Sequence, residues 1–554
     1  MIVESTGTGT AFPVDWSSVS VTGTLTHDRM HFPHPISPLG SSLAETAFVY
    51  GHRKASREYH MGMEFQTTTI NHYRFDGVLP PAPDIDIAEQ GRLAEDALRR
   101  EIGRLLERWH AEHLPSIEAR LRQLRAMDPR GLPATGQLAM LDEIHRIASD
   151  LWIIHFRIVF PMTTAIQAFD EFYGEVIGGS DQDAQALLVG TNSKSVIAGI
   201  ALGDLAGSAR SLGLEQLFAT TPVEEVMSQL GQSESGRAFL GQLDGFLEEY
   251  GLRSDLFDIA TPTWQEDPSF ALATVASYLR SGYDARAAQM EAAGKADAAV
   301  TEAREQLAAY PEAVRQQFDM MLQAARQAAF LQEEHNFYID QQGLALVRLV
   351  VLRFGNDLVR KGLLANEDHI FMLTGDEVRE LVASVPTPEL CSRVRDLVSQ
   401  RQREMEIARM LEPPPFIGQP PEEPAGASNP SLRGMANFFG APPQPSDDPS
   451  RIPGNPGSRG SVTGVARVAR TLDDAKHLRP GEILVTTTTM PPWTPLFGVA
   501  AAVVTETGGS LSHCAIVARE YGIPAVVGAW GATRRIETGQ QITVDGTKGV
   551  ITLH

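Results

Sequence analysis

His513 is the residue whose type and neighbours point most clearly to chemistry. It lies in the segment from Thr505 to Gly528, TETGGSLSHCAIVAREYGIPAVVG. The pattern predicts a helix capped by Ser510 or Ser512 and ended by Gly522, with His513 in its first turn. There the positive end of the helix dipole favours a neutral, nucleophilic imidazole, and free backbone N–H groups can hold a phosphate. His513 is therefore a candidate covalent nucleophile for phosphoryl transfer.

Two alternatives stay open for this segment. A histidine at a helix terminus can have a purely structural role. Cys514, next in the chain, is a second candidate nucleophile, although its size also suits a small apolar position. Gly508 and Gly509 permit the tight turn that must bring the chain out of the preceding apolar run AAVV.

The elements that must position His513 form a compact α/β unit, predicted over residues 457–554. Short β-branched runs such as SVTGVARVAR, GEILVTTTT and QITVDGTKGVITL alternate with glycine turns, and one helix interrupts them. From 453 to 554 the charge is 9 basic minus 7 acidic residues, or +2, which leaves −24 for the rest of a chain whose net charge is −22. This unit is therefore the part better suited to approach anions.

A proline-rich tether is predicted over residues 412–456, which hold 13 of the 35 prolines. Such a stretch is typical of an extended, semi-rigid spacer that lets the following domain move. Before it, apolar residues at helical spacing predict a large helical substrate-binding domain over 86–411. Residues 1–85 are mixed in character and are assigned to the same substrate domain. The predicted fold class is multidomain, α plus α/β.

Composition excludes several classes of protein. The chain has 554 residues, 43% of them hydrophobic, and a net charge of −22. That charge disfavours nucleic acid or an anionic membrane surface as a partner. Two cysteines exclude a disulfide framework, and the sequence suggests neither a signal peptide nor a membrane-spanning run. We therefore expect a cytoplasmic, multidomain, acidic protein.

The segment around His513 resembles the phosphohistidine signature of the phosphoenolpyruvate-utilising enzymes, a likeness that extends over roughly 453–553 and includes GEILVTTTTMPPWTPLF. The resemblance implies a mobile, swivelling β/β/α domain whose histidine carries phosphoryl groups between two sites. It also implies an active loop with a phosphate-binding role for these residues: Thr507, Gly508, Gly509, Ser512 and, on the helix, Arg519. Leu511 replaces the regulatory threonine of the dikinases, so control at that position is not expected.

Residues 333–378, EEHNFYIDQQGLALVRLVVLRFGNDLVRKGLLANEDHIFMLTGDEV, look like the segment before the tether in rifampicin phosphotransferase. The order of domains is also similar to the His-bearing subunit of phenylphosphate synthase and its alkylphenol-phosphorylating relatives. No glycine-rich ATP-grasp segment or phosphoenolpyruvate barrel is recognisable. The resemblance therefore implies a separate ATP-grasp subunit that uses ATP and Mg²⁺ to charge His513, and a phenol or alkylphenol as the acceptor.

Candidates in the substrate domain are weaker, and each has a structural alternative. His335 is a candidate general base, oriented by Glu334 or assisted by Tyr338, or else a histidine that bridges helices. Trp152 and Phe156 suit either an aromatic acceptor pocket or the core. The remaining candidates could clamp a phosphoryl group or form a solvated basic face: Arg53, Lys54 and Arg57. No metal site is predicted.

Three rival functions differ in their requirements. A transferase charged by phosphoenolpyruvate itself would be active without a partner. A non-catalytic phosphocarrier would not need so large a helical domain. An antibiotic phosphotransferase of the rifampicin type would take a bulky acceptor, and the sequence does not separate it from a phenol kinase.

Overall fold

The computed structural model describes residues 12–62, 64–79, 86–190, 192–418, 434, 437–440, 446 and 448–554. About half of the predicted tether lies outside these residues. Two of its described parts belong to the folded domains: one at 416–418 joins the N-terminal sheet, and one from 451 onward joins the C-terminal sheet. The C-terminal domain therefore begins ahead of the predicted boundary at 457.

The N-terminal segment combines two helices with an antiparallel sheet. The helices are α1 (Pro38–Leu43) and α2 (Val49–Glu58), linked by a π-helical turn. The strands are β1 (Thr24–His27), β2 (Glu64–Ile70), β3 (Tyr73–Leu79) and β4 (Phe416–Gly418), in the spatial order β2-β3-β1-β4. Because β4 arrives from beyond the helical domain, this sheet closes the first two parts of the chain into one body.

The helical domain is built around two long helices, α6 and α14, which pack against each other. Its helices are α3 (Ile87–Ile102), α4 (Leu105–Arg108), α5 (Leu114–Ala126), α6 (Ala134–Ile177), α7 (Asp181–Ala186), α8 (Lys194–Ser211), α9 (Glu215–Thr220), α10 (Val223–Leu230), α11 (Glu234–Tyr250), α12 (Ser269–Ser281), α13 (Ala285–Gln306), α14 (Glu312–His335), α15 (Leu344–Arg360), α16 (Gly375–Ala383) and α17 (Pro388–Ala408). By length and hydropathy α6 could cross a membrane, but 78% of its most apolar stretch is buried inside the protein. It serves as the central core helix here, as its apolar side chains at helical spacing require.

The junction between α14 and α15 is the irregular part of this core. α14 runs without a break into a π-helix at Asn336–Gly343 and then into α15. Single π-helical turns inside α-helices are frequent at functional sites. This junction contains the predicted motif EEHNFYID.

The C-terminal domain has a single mixed sheet with helices α18 (Leu472–Ala475), α19 (His513–Glu520) and α20 (Ala532–Arg535). Its strands are β5 (Arg451–Pro453), β6 (Asn455–Ser458), β7 (Ser461–Val468), β8 (Ile483–Thr486), β9 (Ala502–Thr505), β10 (Ala525–Val527), β11 (Gln541–Asp545) and β12 (Val550–Leu553). The order is β5-β12-β11-β7-β8-β9-β10-β6, with parallel pairing from β7 to β10. The predicted fold class, a helical domain followed by an α/β domain, is confirmed.

Candidate functional site

The loop after β9 brings His513 to the carboxyl end of the parallel strands, where α/β sheets usually bind ligands. Gly508 has a φ of +97°, which a residue with a side chain rarely adopts. A Cβ on Gly509 would lie 2.1 Å from the carbonyl oxygen of Asn437, so only glycine fits there. His513 is the first residue of α19, as predicted, and Gly522 ends that helix with a φ of +66°.

His513 is docked against the helical domain. Its side chain is buried, with the residue 9% exposed, and Nδ1 lies 3.3 Å from Oε1 of Glu333 on α14. Since a carboxylate can only accept, Nδ1 donates and Nε2 keeps the lone pair. The hydroxyl of Thr494 lies 3.4 Å from Nε2. The arrangement leaves Nε2 as the nucleophilic nitrogen.

Glu333 is a buried carboxylate held by this interaction. Burial by itself would raise its pKa, but the neighbouring His513, with the hydrogen bonds that it and the Ser195 hydroxyl donate, brings the pKa below its ordinary value. Its second oxygen, Oε2, has no hydrogen-bond partner among the described residues. A buried carboxylate oxygen without a partner is unusual and is available to accept a proton or a ligand hydrogen bond.

Other bonds hold the active loop in this docked position. Gln332 Nε2 donates to the Leu511 carbonyl at 3.1 Å, beside the Glu333 contact. Arg29 pairs with Glu506 at the start of the loop and stacks on Trp530 at 4.8 Å. The His-bearing domain is therefore seated on the helical domain through charged and polar contacts on both sides of the histidine.

The other predicted residues of the C-terminal domain shape the loop. Thr507 donates its hydroxyl to the Thr487 carbonyl at 3.2 Å. Ser512 occupies the N-cap position, but its hydroxyl donates to the Gly509 carbonyl instead of capping the helix, contrary to our expectation. Arg519 is partly buried and donates to the carbonyls of Gly457 and Ser510 at 2.7 and 2.9 Å. In this docked state Arg519 therefore braces the loop, and its phosphate-binding role remains a prediction.

Cys514 is an unsuitable nucleophile. Burial raises the pKa of its thiol to about 12, so the thiolate is scarce at neutral pH. Its side chain instead belongs to the hydrophobic core between the domains, in agreement with the apolar role considered above.

The structure orients His335 differently from our prediction. Its Nδ1 donates to the Leu331 carbonyl at 2.7 Å, whereas Glu334 accepts from the backbone N–H of Lys194 at 2.9 Å. The predicted Glu334–His335 pair is therefore wrong. Burial and the neighbouring His155 lower the pKa of His335 to about 4, so its imidazole is neutral.

Trp152 and Phe156 lie on α6 and are buried in the domain core. Their ring centroids lie 4.9 and 4.8 Å, respectively, from the ring centroid of His155. Tyr338 packs against Trp109, with the ring centroids 6.0 Å apart, and is half-buried. These contacts support the core interpretation and place the aromatic cluster beside the His155–His335 pair.

The basic stretch on α2 is not brought to His513. Arg53 and Arg57 pair with Glu64 of β2 at 3.4 and 2.7 Å, and Lys54 pairs with Glu58 at 3.7 Å. Each cation is partly exposed and already has a carboxylate partner. These contacts favour the solvated basic face over the phosphoryl clamp.

Glu333, the residue that contacts His513, was not predicted from the sequence, although it is the first residue of the motif EEHNFYID. Nor were His155 and Asp340, whose side chains form a 2.9 Å hydrogen bond. Together with His335, their ligand-type atoms lie within 4.8 Å of one another. This set of two imidazoles and one carboxylate suits zinc-like ions better than Mg²⁺, which prefers oxygen ligands.

A narrow cavity lies between the domains beside Glu333. Its volume is about 30 Å³, room for a water molecule but not for an aromatic ring. Glu333, Thr494 and Leu511 contribute to its wall. An acceptor molecule must therefore enter while the domains are apart, or displace part of this interface.

Comparison with known proteins agrees with this geometry. Residues 478–549 match the family "PEP-utilising enzyme, mobile domain", and residues 155–333 match "Rifampicin phosphotransferase fourth domain". The second match begins at His155 and ends at Glu333, so it spans the helical side of the site.

Three relatives illustrate the similarity. Chondramide synthase cmdD of Chondromyces crocatus is 35% identical over 98% of this chain and 14% of its own length. The uncharacterized phosphotransferase YvkC of Bacillus subtilis (strain 168) is 29% identical, over 94% of this chain and 60% of its own. A rifampicin phosphotransferase of Streptomyces sviceus is 31% identical, over 64% and 39%. The chain spans 14 to 60% of the length of these relatives. The matches group its C-terminal domain with the mobile domains of PEP-utilising enzymes and its helical domain with the fourth domain of rifampicin phosphotransferase.

Proposed function

We propose that this chain is part of a phosphotransferase in which His513 carries a phosphoryl group to the hydroxyl of an acceptor at the helical domain. The observation that carries the proposal is the docked imidazole, whose Nδ1 lies 3.3 Å from Glu333 and whose Nε2 keeps its lone pair. The matches to the mobile domain and to the rifampicin phosphotransferase domain support the same reaction class.

Burial of His513 implies a second position of its domain. His513 is only 9% exposed and is covered by the helical domain, so it cannot contact a large phosphoryl donor unless its domain first separates from the helical domain. We assign the charging step to a separate ATP-grasp subunit that holds ATP and Mg²⁺. The described residues give no support for a nucleotide–Mg²⁺ site in this chain, since the cluster around His155 has the wrong ligand chemistry for Mg²⁺.

Unloading begins from His513 phosphorylated on Nε2. The acceptor oxygen attacks the phosphorus in line, the N–P bond breaks, and the electron pair returns to Nε2 as the O–P bond forms. Glu333 Oε2, which has no partner among the described residues, takes the hydroxyl proton through bridging water, because it lies on the Nδ1 side of the ring and the attack is in line with Nε2. Oε1 meanwhile keeps the ring oriented. Such a step needs positioning, charge stabilisation and a base, and a base contributes about 10²–10⁴-fold.

A phenol or alkylphenol is the acceptor we favour. The domain order, which is similar to that of the His-bearing subunit of phenylphosphate synthase, supports this choice, whereas Trp152 and Phe156 are packed in the core and do not argue for it. A second candidate is an antibiotic of the rifampicin kind, which the match over residues 155–333 favours.

The test uses the full chain with candidate ATP-grasp subunits, ATP and Mg²⁺, and in parallel with phosphoenolpyruvate alone. Intact mass before and after acid treatment reports phosphohistidine, and ³¹P NMR reports esters of phenol, alkylphenols or rifampicin. We expect an acid-labile phosphoryl adduct that His513→Ala abolishes together with the ester. Ester formation by the His513→Ala chain would refute the proposal. Phosphorylation of His513 by phosphoenolpyruvate alone would show that no ATP-grasp subunit is needed.

A further inference from the structure

Arg253 is a buried cation near Glu333 that lacks the partners such a group normally has. The residue is 1% exposed, and neither Nε nor Nη1 has a hydrogen-bond partner among the described residues. Those two nitrogens carry three N–H donors. The indole Nε1 of Trp264, itself buried, also has no partner within the described part of the chain. Four donors are thus collected in the core without an acceptor.

The backbone and ring contacts fix this arrangement. The Arg253 carbonyl accepts from the Trp264 N–H at 3.0 Å, which ties the two residues together. The guanidinium lies over the rings of Trp264 and Phe337, at 5.1 and 5.4 Å from their centroids. Phe337 follows Glu333 by one helical turn, so the cation is stacked on the same segment that receives His513. Rings shield the guanidinium but give its N–H groups no acceptor.

The proposed reaction needs a cation here. A phosphoryl group on Nε2 of His513 would bring two further negative charges next to the Glu333 carboxylate. Arg519 already donates to two backbone carbonyls, and Lys194 Nζ lies 3.5 Å from Glu249. Arg253, whose charge interacts with Glu333, forms no ion pair with any residue that the structure describes. It is therefore the nearby described cation with donors to spare.

We propose that Arg253 and the indole N–H of Trp264 form an oxyanion-binding site that takes phosphoryl or phosphate oxygens. The site rests on the proposed function for its role, which is to neutralise the phosphoryl group as it passes from His513 to the acceptor. Arginine suits this task because its planar fork donates two parallel hydrogen bonds to phosphate and keeps its charge when buried. The anion in turn satisfies donors whose burial is otherwise uncompensated.

Inorganic phosphate is the probe for the site. The thermal midpoint of the full chain is titrated with phosphate against chloride at constant ionic strength, with no donor and no acceptor present. We expect a phosphate-dependent rise, and Arg253→Met to weaken the apparent phosphate affinity by about ten- to a hundredfold, the usual effect of losing charge-assisted hydrogen bonds. Arg280→Met, at an exposed position on α12, is the matched control and should keep the wild-type response.

Trp264→Phe provides a second variant, which keeps an aromatic ring beside the guanidinium but removes the indole N–H together with part of the ring system. It should weaken phosphate binding several-fold, and it remains informative if Arg253→Met fails to fold. The proposal is overturned if the wild-type chain shows no response to phosphate, or if the response survives both substitutions. Because the titration needs no phosphoryl donor, its failure leaves the loading of His513 untested. Conversely, a chain that binds phosphate but never forms phosphohistidine contradicts the proposed function alone.

Discussion

Replacing Glu333 by Gln separates the loading of His513 from its unloading. The amide oxygen can occupy the place of Oε1 and accept from Nδ1, so the ring keeps its orientation. What disappears is the negative charge and the basic Oε2. Because His513 must leave the helical domain to be charged, loading should proceed at the wild-type rate. Unloading should slow by about 10²–10⁴-fold, the range in which a general base usually contributes.

A smaller effect on docking accompanies the loss of charge. The contact between Nδ1–H and Glu333 is a charge-assisted hydrogen bond, which is about twice as strong as a neutral one. Its conversion to a neutral bond should cost about 1 kcal/mol, or roughly a fivefold shift away from the docked state. This term alone cannot produce a hundredfold loss, so the two contributions can be told apart by magnitude.

The assay is a single turnover. The chain is phosphorylated, the donor is removed, the acceptor is added, and intact mass follows the loss of phosphohistidine while ³¹P NMR follows the ester. Glu312→Gln, the same substitution at an exposed position of the same helix, is the control. If the Glu333→Gln chain transferred its phosphoryl group at the wild-type rate, Glu333 would not be the base. If phosphorylation of His513 slowed as much as its transfer to the acceptor, His513 would not be charged away from the helical domain.

Three further predictions test the surroundings of the site. Burial raises the pKa of the Asp170 carboxyl to about 8, so between pH 3.8 and about 8 the folded chain holds a proton that the unfolded chain has released. The free energy of unfolding should therefore fall by up to about 6 kcal/mol as the pH rises through this range. Urea titrations of Asp170→Asn should lack this fall. Iodoacetamide at pH 8 should leave Cys514 unmodified in the native chain and alkylate it after unfolding, since the pKa of its thiol is about 12; rapid native labelling on peptide mapping would refute this. Gly509→Ala should impair unloading, because its Cβ would overlap the Asn437 carbonyl, whereas Gly241→Ala, which meets no atom within 4 Å, should not.

Local signals explain what could be predicted of the site. The turn at Gly508, the start of α19 at His513 and its left-handed end at Gly522 depend on residues close in the sequence, and all three were predicted correctly. Glu333 lies 180 residues from His513, and nothing in its own segment indicates which group it will meet. Its neighbour Glu334 was chosen instead because sequence alone cannot say which face of α14 points to the other domain.

Charge patterns were the least reliable guide. The basic stretch on α2 suggested an anion clamp, but Glu64 of β2 folds back onto it and neutralises it. Arg253, in contrast, lies in the stretch GLRSDLFD, and only the fold reveals that it is buried with two nitrogens that find no hydrogen-bond partner in the part of the chain that the structure describes. A cationic side chain indicates an anion site when it lacks carboxylate and carbonyl partners, and whether it lacks them can be seen only in the folded structure.

The docked interface also constrains how His513 is charged. Phe497 of the C-terminal domain is buried, Tyr521 packs on it, and a Cβ on Gly498 would lie 2.6 Å from the ring of Tyr283 in the helical domain. Each large apolar side chain that the domain uncovers on leaving costs about 1.5–3 kcal/mol. A charging site that contacted only His513 would not compensate for this loss of buried apolar surface. For the charging state proposed above, we therefore expect the receiving surface to cover the same aromatic face around Phe497 and Tyr521.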